Sequence, residues 1–238
     1  MVMAMSTVTE KVKRKMMMID PHVHILPGID DGSNSAETSL KMLEELQKQG
    51  IERIIATPHF YAHREKSVHD FIEKRDSAFR EIGSPENIYL GAEVAIEHGI
   101  SEIPNIEELA IQGTDLILLE FSYTSYYSWM EEEIYNISVT HKLKPVIAHI
   151  HRYLELFSRE QMERILKIKA VFQVNNEAFD DFNQKRFVKK LLREGYPVIF
   201  GSDSHNLSER KPNWNFIKRK VRQKVIDNAM NLLESHFQ

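Results

Sequence analysis

Met17-Met18-Ile19-Asp20-Pro21-His22-Val23-His24 reads as a β-strand that runs into two imidazoles. Residues two apart in a strand share a face, so His22 and His24 can reach one ion. Six more segments have the same form, strand-like and ending in or just before a side chain that binds metals or anions. They are Arg53–His59, Ile88–Glu93, Asp115–Glu120, Pro145–His149, Ala170–Asn175 and Pro197–Asp203, the last followed by His205. Strands of a parallel barrel all point one way, so side chains at their C-terminal ends converge on one face, where α/β-barrel active sites sit. A row of His, Asp and Glu converging there points to a site for several metal ions.

Helical spacing fills the intervals. Ala36–Gln49 has Leu40, Leu43 and Leu46 at helical intervals, with Ser35 placed to cap it and Gly50 to end it. Val68–Ile82, a short Ile103–Ala110, Trp129–Leu143, Arg159–Lys167 and Gln184–Arg193 follow, and one last long helix is expected through Trp214–Leu233. Strand, loop and helix recur with short links and no low-complexity tract. The expectation is an α/β fold with one domain over residues 17–238, a distorted seven-stranded TIM-like barrel with helices outside. An open doubly wound sheet is the alternative, but it gathers ligands at one switch point and accounts less well for seven decorated strands. Residues 1–16 read as a disordered extension.

Composition narrows the chemistry. There are no cysteines, so disulfides, thiolate metal sites and cysteine nucleophiles are excluded. Ligands must be imidazole and carboxylate, which suit Mn, Zn, Fe or Mg. A net charge of −4 makes no overall case for nucleic acid or a membrane surface. Lys11, Lys13, Arg14 and Lys15 precede no apolar run of about seven residues or more, so no secretory signal is expected. No stretch approaches the roughly 18–20 apolar residues of a membrane span. A cytoplasmic protein is expected.

The candidate ligands come in order along the chain. After His22 and His24, the turn Leu26-Pro27-Gly28-Ile29-Asp30-Asp31-Gly32 offers Asp31, with Asp30 the weaker choice. His59, Glu93, Glu120 and His149 each end an apolar strand, where a buried charge is costly unless paired or bound to metal. Asp203 and His205 close the series, again two apart. Three or four imidazoles with several carboxylates suffice for two or three divalent ions, with carboxylates bridging.

The ordered set HVH, ATPH, GAE, Glu120, His149 and GSDSH resembles the successive motifs of the PHP (polymerase and histidinol phosphatase) superfamily. More narrowly, HILPGIDDG, ATPHF, GAEV and GSDSHN are similar to the manganese-dependent tyrosine-protein phosphatases of bacterial capsule and exopolysaccharide operons. The match covers about residues 18–212. The resemblance implies a (β/α)₇-type PHP barrel and a trinuclear centre, often of Mn²⁺. Its ligands would be His22, His24, Asp31, His59, Glu93, Glu120, His149, Asp203 and His205. It further implies that Arg152 and Arg210 anchor a phosphate. The chain departs from the family at Ile150-His151, where Pro-Glu is usual, and at Pro21, where an aliphatic residue is usual.

The implied reaction is hydrolysis of phosphotyrosine on the tail of an autophosphorylated bacterial tyrosine kinase that controls capsule or exopolysaccharide synthesis. His151 is a candidate proton donor. Tyr126 and Tyr127, in the aromatic stretch after the fourth segment, are candidates to flank the phosphotyrosine ring; packing of that loop onto the barrel is the plainer reading. Two alternatives stand: a small-molecule phosphatase such as a histidinol phosphatase, and a non-catalytic binding protein of the kinase complex. No basic, aromatic-rich channel points to nucleic acid. Arg210, Lys211, Lys218, Arg219, Lys220, Arg222 and Lys224 form a basic run, either a solvated helix face or a dock for an acidic or phosphorylated tail. The terminal helix is free either to cover the barrel or to pack a homo-oligomer.

Overall fold

Every one of the seven apolar runs forms parallel β-structure, and two of them break in the middle. The computed structural model describes residues 16–237, so all of the expected N-terminal extension except Met16 lies outside the described residues. The strands are β1 (Ile19–Val23), β2 (Arg53–Ala56), β3 (His59–Phe60), β4 (Ile88–Leu90), β5 (Glu93–Ala95), β6 (Leu116–Glu120), β7 (Lys144–Ile147), β8 (Val171–Asn175) and β9 (Val198–Gly201). They form one sheet of order β1-β2-β4 and another of order β3-β5-β6-β7-β8-β9, with every neighbouring pair parallel.

The two sheets are parts of one wall. β3 continues β2 after Thr57-Pro58, and β5 continues β4 after Gly91-Ala92. Pro58 has no N–H to donate, so the ladder is interrupted there. The backbones stay paired across the gap, with Gly91 N donating to Ala56 O (2.9 Å) and Glu93 N to Pro58 O (3.0 Å). From outside, the Arg75 guanidinium donates to Gly91 O at 3.2 Å. The ring closes where Val23 bridges Ser204 in parallel. There Asp203 N donates to His22 O and His24 N to Ser204 O, both at 2.9 Å. A seven-segment barrel, distorted at two adjacent segments, is therefore the architecture.

The helices follow as α1 (Ala36–Lys48), α2 (Val68–Glu81), α3 (Trp129–Thr140), α4 (Arg159–Ile165), α5 (Phe182–Arg193), α6 (Trp214–Lys220) and α7 (Gln223–Glu234). Ser35 caps α1 by accepting from Thr38 N, and Gly50 follows the helix at φ +82°, which suits glycine. Each helix turns an apolar stripe inward: Met42, Leu43 and Leu46 on α1, Ile226, Ala229, Met230 and Leu233 on α7. α7 lies against β9 and so covers the barrel.

Two expected helices take another form. Residues 103–110 do not form one helix. Ile103 precedes Pro104 and is held extended (φ −67°, ψ 138°), and two 3₁₀ turns, Ile100–Glu102 and Ile106–Leu109, replace it. The terminal helix is two helices. Val221 is extended (φ −122°, ψ 140°), and the break lets Trp214 and Ile217 of α6 and the stripe of α7 bury separately.

Candidate metal centre

At the C-terminal end of the barrel the strand ends bring their polar side chains together. The period-2 pleat of β1 delivers His22 and His24 to the same side, with their Nε2 atoms 3.1 Å apart. Glu93, the first residue of β5, reaches between them: Oε2 is 3.1 Å from His22 Nε2, 3.2 Å from His24 Nε2 and 3.3 Å from His59 Nδ1. Its Oε1 lies 2.8 Å from His149 Nε2. Glu120, ending β6, stands 3.3 Å from His149 Nε2 and 3.7 Å from His59 Nδ1. Asp203 Oδ1 is 3.5 Å from Nε2 of both His22 and His24. Asp31 Oδ1 is 3.4 Å from His59 Nε2 and 3.5 Å from His205 Nε2.

Eight of these side chains fall into three overlapping groups that could each hold an ion: His24, Asp31, His59 and His205; His22, His24 and Asp203; His59, Glu93 and Glu120; His149 adjoins them through Glu93 and Glu120. The donor set suits divalent cations. Outer partners hold the imidazoles so that Nε2 faces inward. His24 Nδ1 pairs with Asp30 Oδ2 at 2.7 Å, His22 Nδ1 with Gln173 Oε1 at 3.3 Å, and His205 Nδ1 with Asp203 O at 3.0 Å. Three of the atoms facing the centre, His59 Nδ1, His205 Nε2 and Asp203 Oδ1, are buried without a hydrogen-bond partner. Orphaned polar atoms facing the groups of donors are what metal ligation would satisfy.

The electrostatics agree. Burial opposes charge on His24, yet the Asp30 carboxylate and then Glu93 lift it to about 10. Burial likewise opposes charge on His149, and Glu120 and Glu93 lift it to about 9. His205 is pushed down to about 3, by burial and then by His24. Glu93 is held well below the usual carboxylate range: burial opposes its charge, but His22 and the hydrogen bonds from His149, His22 and His24 outweigh it. A concentration of negative charge that draws protons onto imidazoles is also one that attracts divalent cations.

Two arginines face the centre from the next turns. Arg152 lies on the 3₁₀ turn Ile150–Glu155 after β7, with Nη1 2.9 Å from Asp203 Oδ2 and Nη2 3.0 Å from Glu177 Oε1. Arg210 Nη2 reaches the same Asp203 oxygen at 2.8 Å. Asn175 Nδ2 donates to it as well, at 2.8 Å, so Oδ2 is saturated while Oδ1 faces the imidazoles. Asp203 and His149 have φ of +50° and +29°, unfavourable for non-glycine residues, and strain of this kind gathers at functional sites. A cavity of about 420 Å³ opens over the cluster, lined by Asp31, His59, Glu93, Glu120 and His149, both arginines, and Tyr61 and Tyr123.

All nine expected ligands and both expected arginines thus meet in one place. Tyr126 and Tyr127 do not line the cavity. Tyr126 packs on Phe121 and Phe157, and Tyr127 stacks on Trp129 with half its surface exposed. The rings at the mouth are Tyr61, 5.4 Å from the His59 ring, and Tyr123, whose hydroxyl is 3.2 Å from His149 Nδ1. Burial pushes Tyr61 up to about 12, so it stays a neutral phenol. His151 is buried and outside the cavity lining. Asn175 ends its strand as the sequence suggests and holds Asp203, whereas Gln173, inside the strand, and Glu177, in the turn after it, stand at positions that carry no strand-end signal. Gly32 closes the turn that carries Asp30 and Asp31, where a Cβ would sit 2.4 Å from His24 O. The remaining histidines lie elsewhere, His63 on Glu97, His141 on Ser101 O and His236 on Asp115.

Residues 18–236 match the family model for capsular polysaccharide synthesis proteins, CpsB/CapC. The chain belongs to the CpsB/CapC family. It is 28% identical to the tyrosine-protein phosphatase CpsB of Streptococcus agalactiae serotype III, covering 92% of this chain and all of that one. It is 30% identical to CpsB of Streptococcus pneumoniae over 82% of this chain and 86% of that one. Tyrosine-protein phosphatase YwqE of Bacillus subtilis is 26% identical, with 81% and 79% covered. Crystal structures of YwqE and S. pneumoniae CpsB, described as unique metal-dependent tyrosine phosphatases, include a chain that superposes with a TM-score of 0.72. That chain is 23% identical, with 92% of each covered, and at this identity the likeness bears on the fold. An organophosphorus hydrolase mutant, 12% identical, superposes with a TM-score of 0.53 over 94% of this chain and 93% of that one, a likeness of fold alone.

Proposed function

We propose that this chain is a metal-dependent protein-tyrosine phosphatase that hydrolyses phosphotyrosine on the tail of an autophosphorylated bacterial kinase, in capsule or exopolysaccharide synthesis. One observation carries the reading: Arg152 and Arg210 converge on a single carboxylate oxygen at the edge of a cluster of five imidazoles and four carboxylates. Two guanidiniums beside a cation site form a receptor for a dianionic tetrahedral group, since each planar fork matches two phosphate oxygens.

His22, His24, Asp31, His59, Glu93, Glu120, His149, Asp203 and His205 would hold two or three divalent ions, with Mn²⁺ the proposed native metal. Such ions supply Lewis acidity and make water nucleophilic at neutral pH. The chain's own residues do the rest. Arg152 and Arg210 bind the phosphoryl oxygens and neutralise the charge that develops on them. Glu177 holds Arg152 from its far side, which fixes the direction of the fork. Tyr61 and Tyr123 present ring surface at the mouth, where an aryl group attached to the bound phosphate would lie. A phenolate, of parent pKa about 10, leaves with less proton assistance than an alkoxide. A buried His151 outside the cavity is therefore no obstacle to the reaction.

The kinase tail, the cytoplasmic location and the choice of manganese are parts of this proposal. Among the described residues no helix is long and apolar enough to cross a membrane. The test compares kcat/KM of the Mn²⁺-loaded protein on a phosphotyrosine peptide and on histidinol phosphate. Strong preference for the peptide is expected; preference for histidinol phosphate would move the assignment to a small-molecule phosphatase.

A further inference from the structure

The basic run near the C-terminus does not stand alone. Lys220 and Arg222, at the junction of α6 and α7, face Lys185, Arg186, Lys189 and Arg193 of α5 across an open groove of about 1010 Å³. The rest of its lining is apolar: Phe179, Phe182, Leu192, Val221 and Val225. No carboxylate lines it, in a chain whose net charge is −4. Among the described residues none of the six cations has a carboxylate within ion-pair distance, whereas Lys190 on the same helix pairs with Glu194 outside the groove.

The pattern is built into α5. Phe182, Lys185, Arg186, Lys189 and Arg193 recur at helical spacing on one face, while Val188 and Leu191 fill the core side. Lys185 with Lys189, and Lys189 with Arg193, are like charges four apart, which weakens a helix. Phe182 is 76% exposed at the rim. One chain segment links the groove to the Arg152 partner. Phe179 closes the turn Asn176–Phe179, which carries Glu177, the partner of Arg152.

We propose that this groove docks an acidic polypeptide segment bearing an apolar side chain, with its carboxylates on the six cations and its apolar group on the floor. A concave trough with an apolar base fits an extended chain; a flat lipid surface would reach the rim cations and leave the floor uncovered.

The test is fluorescence anisotropy of a labelled peptide of glutamates around one phenylalanine, with its glutamine analogue as control, on the full chain. Variants are Lys185→Glu with Arg222→Glu, and the milder pair Lys185→Gln with Arg222→Gln. The acidic peptide should bind and the glutamine analogue should not. Reversing two surface charges should weaken binding about tenfold or more, and neutralising them by less. Added salt should weaken it in every case. Equal binding by the native chain and both variants would overturn the proposal. So would groove-dependent binding of phosphatidylserine vesicles or duplex DNA with none of the peptide. Hydrolysis of p-nitrophenyl phosphate should be the same in all three proteins, which checks their folding. The binding assay needs no turnover, so it reads the groove even if the phosphatase assignment fails.

Discussion

Asp30 and Asp31 are adjacent acids with different work. Asp30 is turned inward, accepting from His59 N (3.0 Å) and Gly32 N (2.9 Å) and pairing with His24 Nδ1. It fixes the tautomer and direction of His24, a proposed ligand, so Asp30→Asn should weaken metal affinity by about 10–100-fold, read by competition with a chelating dye. Unchanged affinity would contradict that role. Arg152→Ala should lower kcat/KM on a phosphotyrosine peptide by about 100-fold or more with bound metal unaltered, because it removes charge stabilisation of the phosphoryl group. Glu177→Gln should raise KM more than it lowers kcat, since Arg152 remains but loses its lateral anchor; an unaffected KM would count against positioning. At this scale, what the sequence offered was the strand-end rule. It picks out His22 and His24 because alternation puts them on one face, and Asp203 and His205 by the same spacing. It is silent on Tyr61 and Tyr123, since which loop rings face a cavity depends on how the loops fold back. Tyr126 and Tyr127 look equivalent to Tyr123 in the sequence, yet they pack against Phe157 and Trp129.

Among the elements, the barrel wall was legible and its interruptions were not. Arg53–His59 reads as one strand around Ile54, Ile55 and Ala56, and the pairing of both neighbours shows that it breaks at Thr57-Pro58 into β2 and β3. The junction of α6 and α7 was hidden for a similar reason: residues 214–233 keep a helical period, but the two halves bury their stripes at different places. The 3₁₀ turns that replace the expected 103–110 helix depend on a residue from another element. Glu133 of α3 accepts from Gly99 N (2.6 Å), Ser101 N (3.0 Å) and Ser101 Oγ (2.6 Å). Burial opposes its charge, but these donors outweigh burial and hold its carboxyl below the usual range. A depressed carboxyl contributes stability above the unfolded value of about 4.3 and loses it as pH falls through the folded value. Glu133→Gln should therefore cost about 1–3 kcal/mol near neutral pH, with the difference from the native chain shrinking as the solution is acidified. Urea melts across pH would show it; a constant difference would mean the charge is not what holds the turn.

Across the whole molecule, the first and last strands of the barrel are fastened through one buried acid. Asp20 on β1 accepts from Trp214 Nε1 of α6 at 2.7 Å and from Ser202 N at 2.9 Å, so the last helices and the β9 turn both lock onto the first strand. Trp214→Phe keeps an aromatic ring but leaves that carboxylate short of a donor, and should cost about 1.5–3 kcal/mol in stability. Stability and catalysis meet here, because the same turn sets Asp203 against His22 and His24. The C-terminal end of the barrel is the proposed metal-dependent phosphatase site. The most direct measurement is hydrolysis of a phosphotyrosine peptide by chelator-stripped protein, before and after added Mn²⁺, with His22→Ala alongside and bound metal counted in each sample. The account predicts no turnover without metal, turnover restored by Mn²⁺, and both metal binding and turnover reduced in His22→Ala. Tight metal binding with no phosphotyrosine turnover, or turnover indifferent to metal, would contradict it.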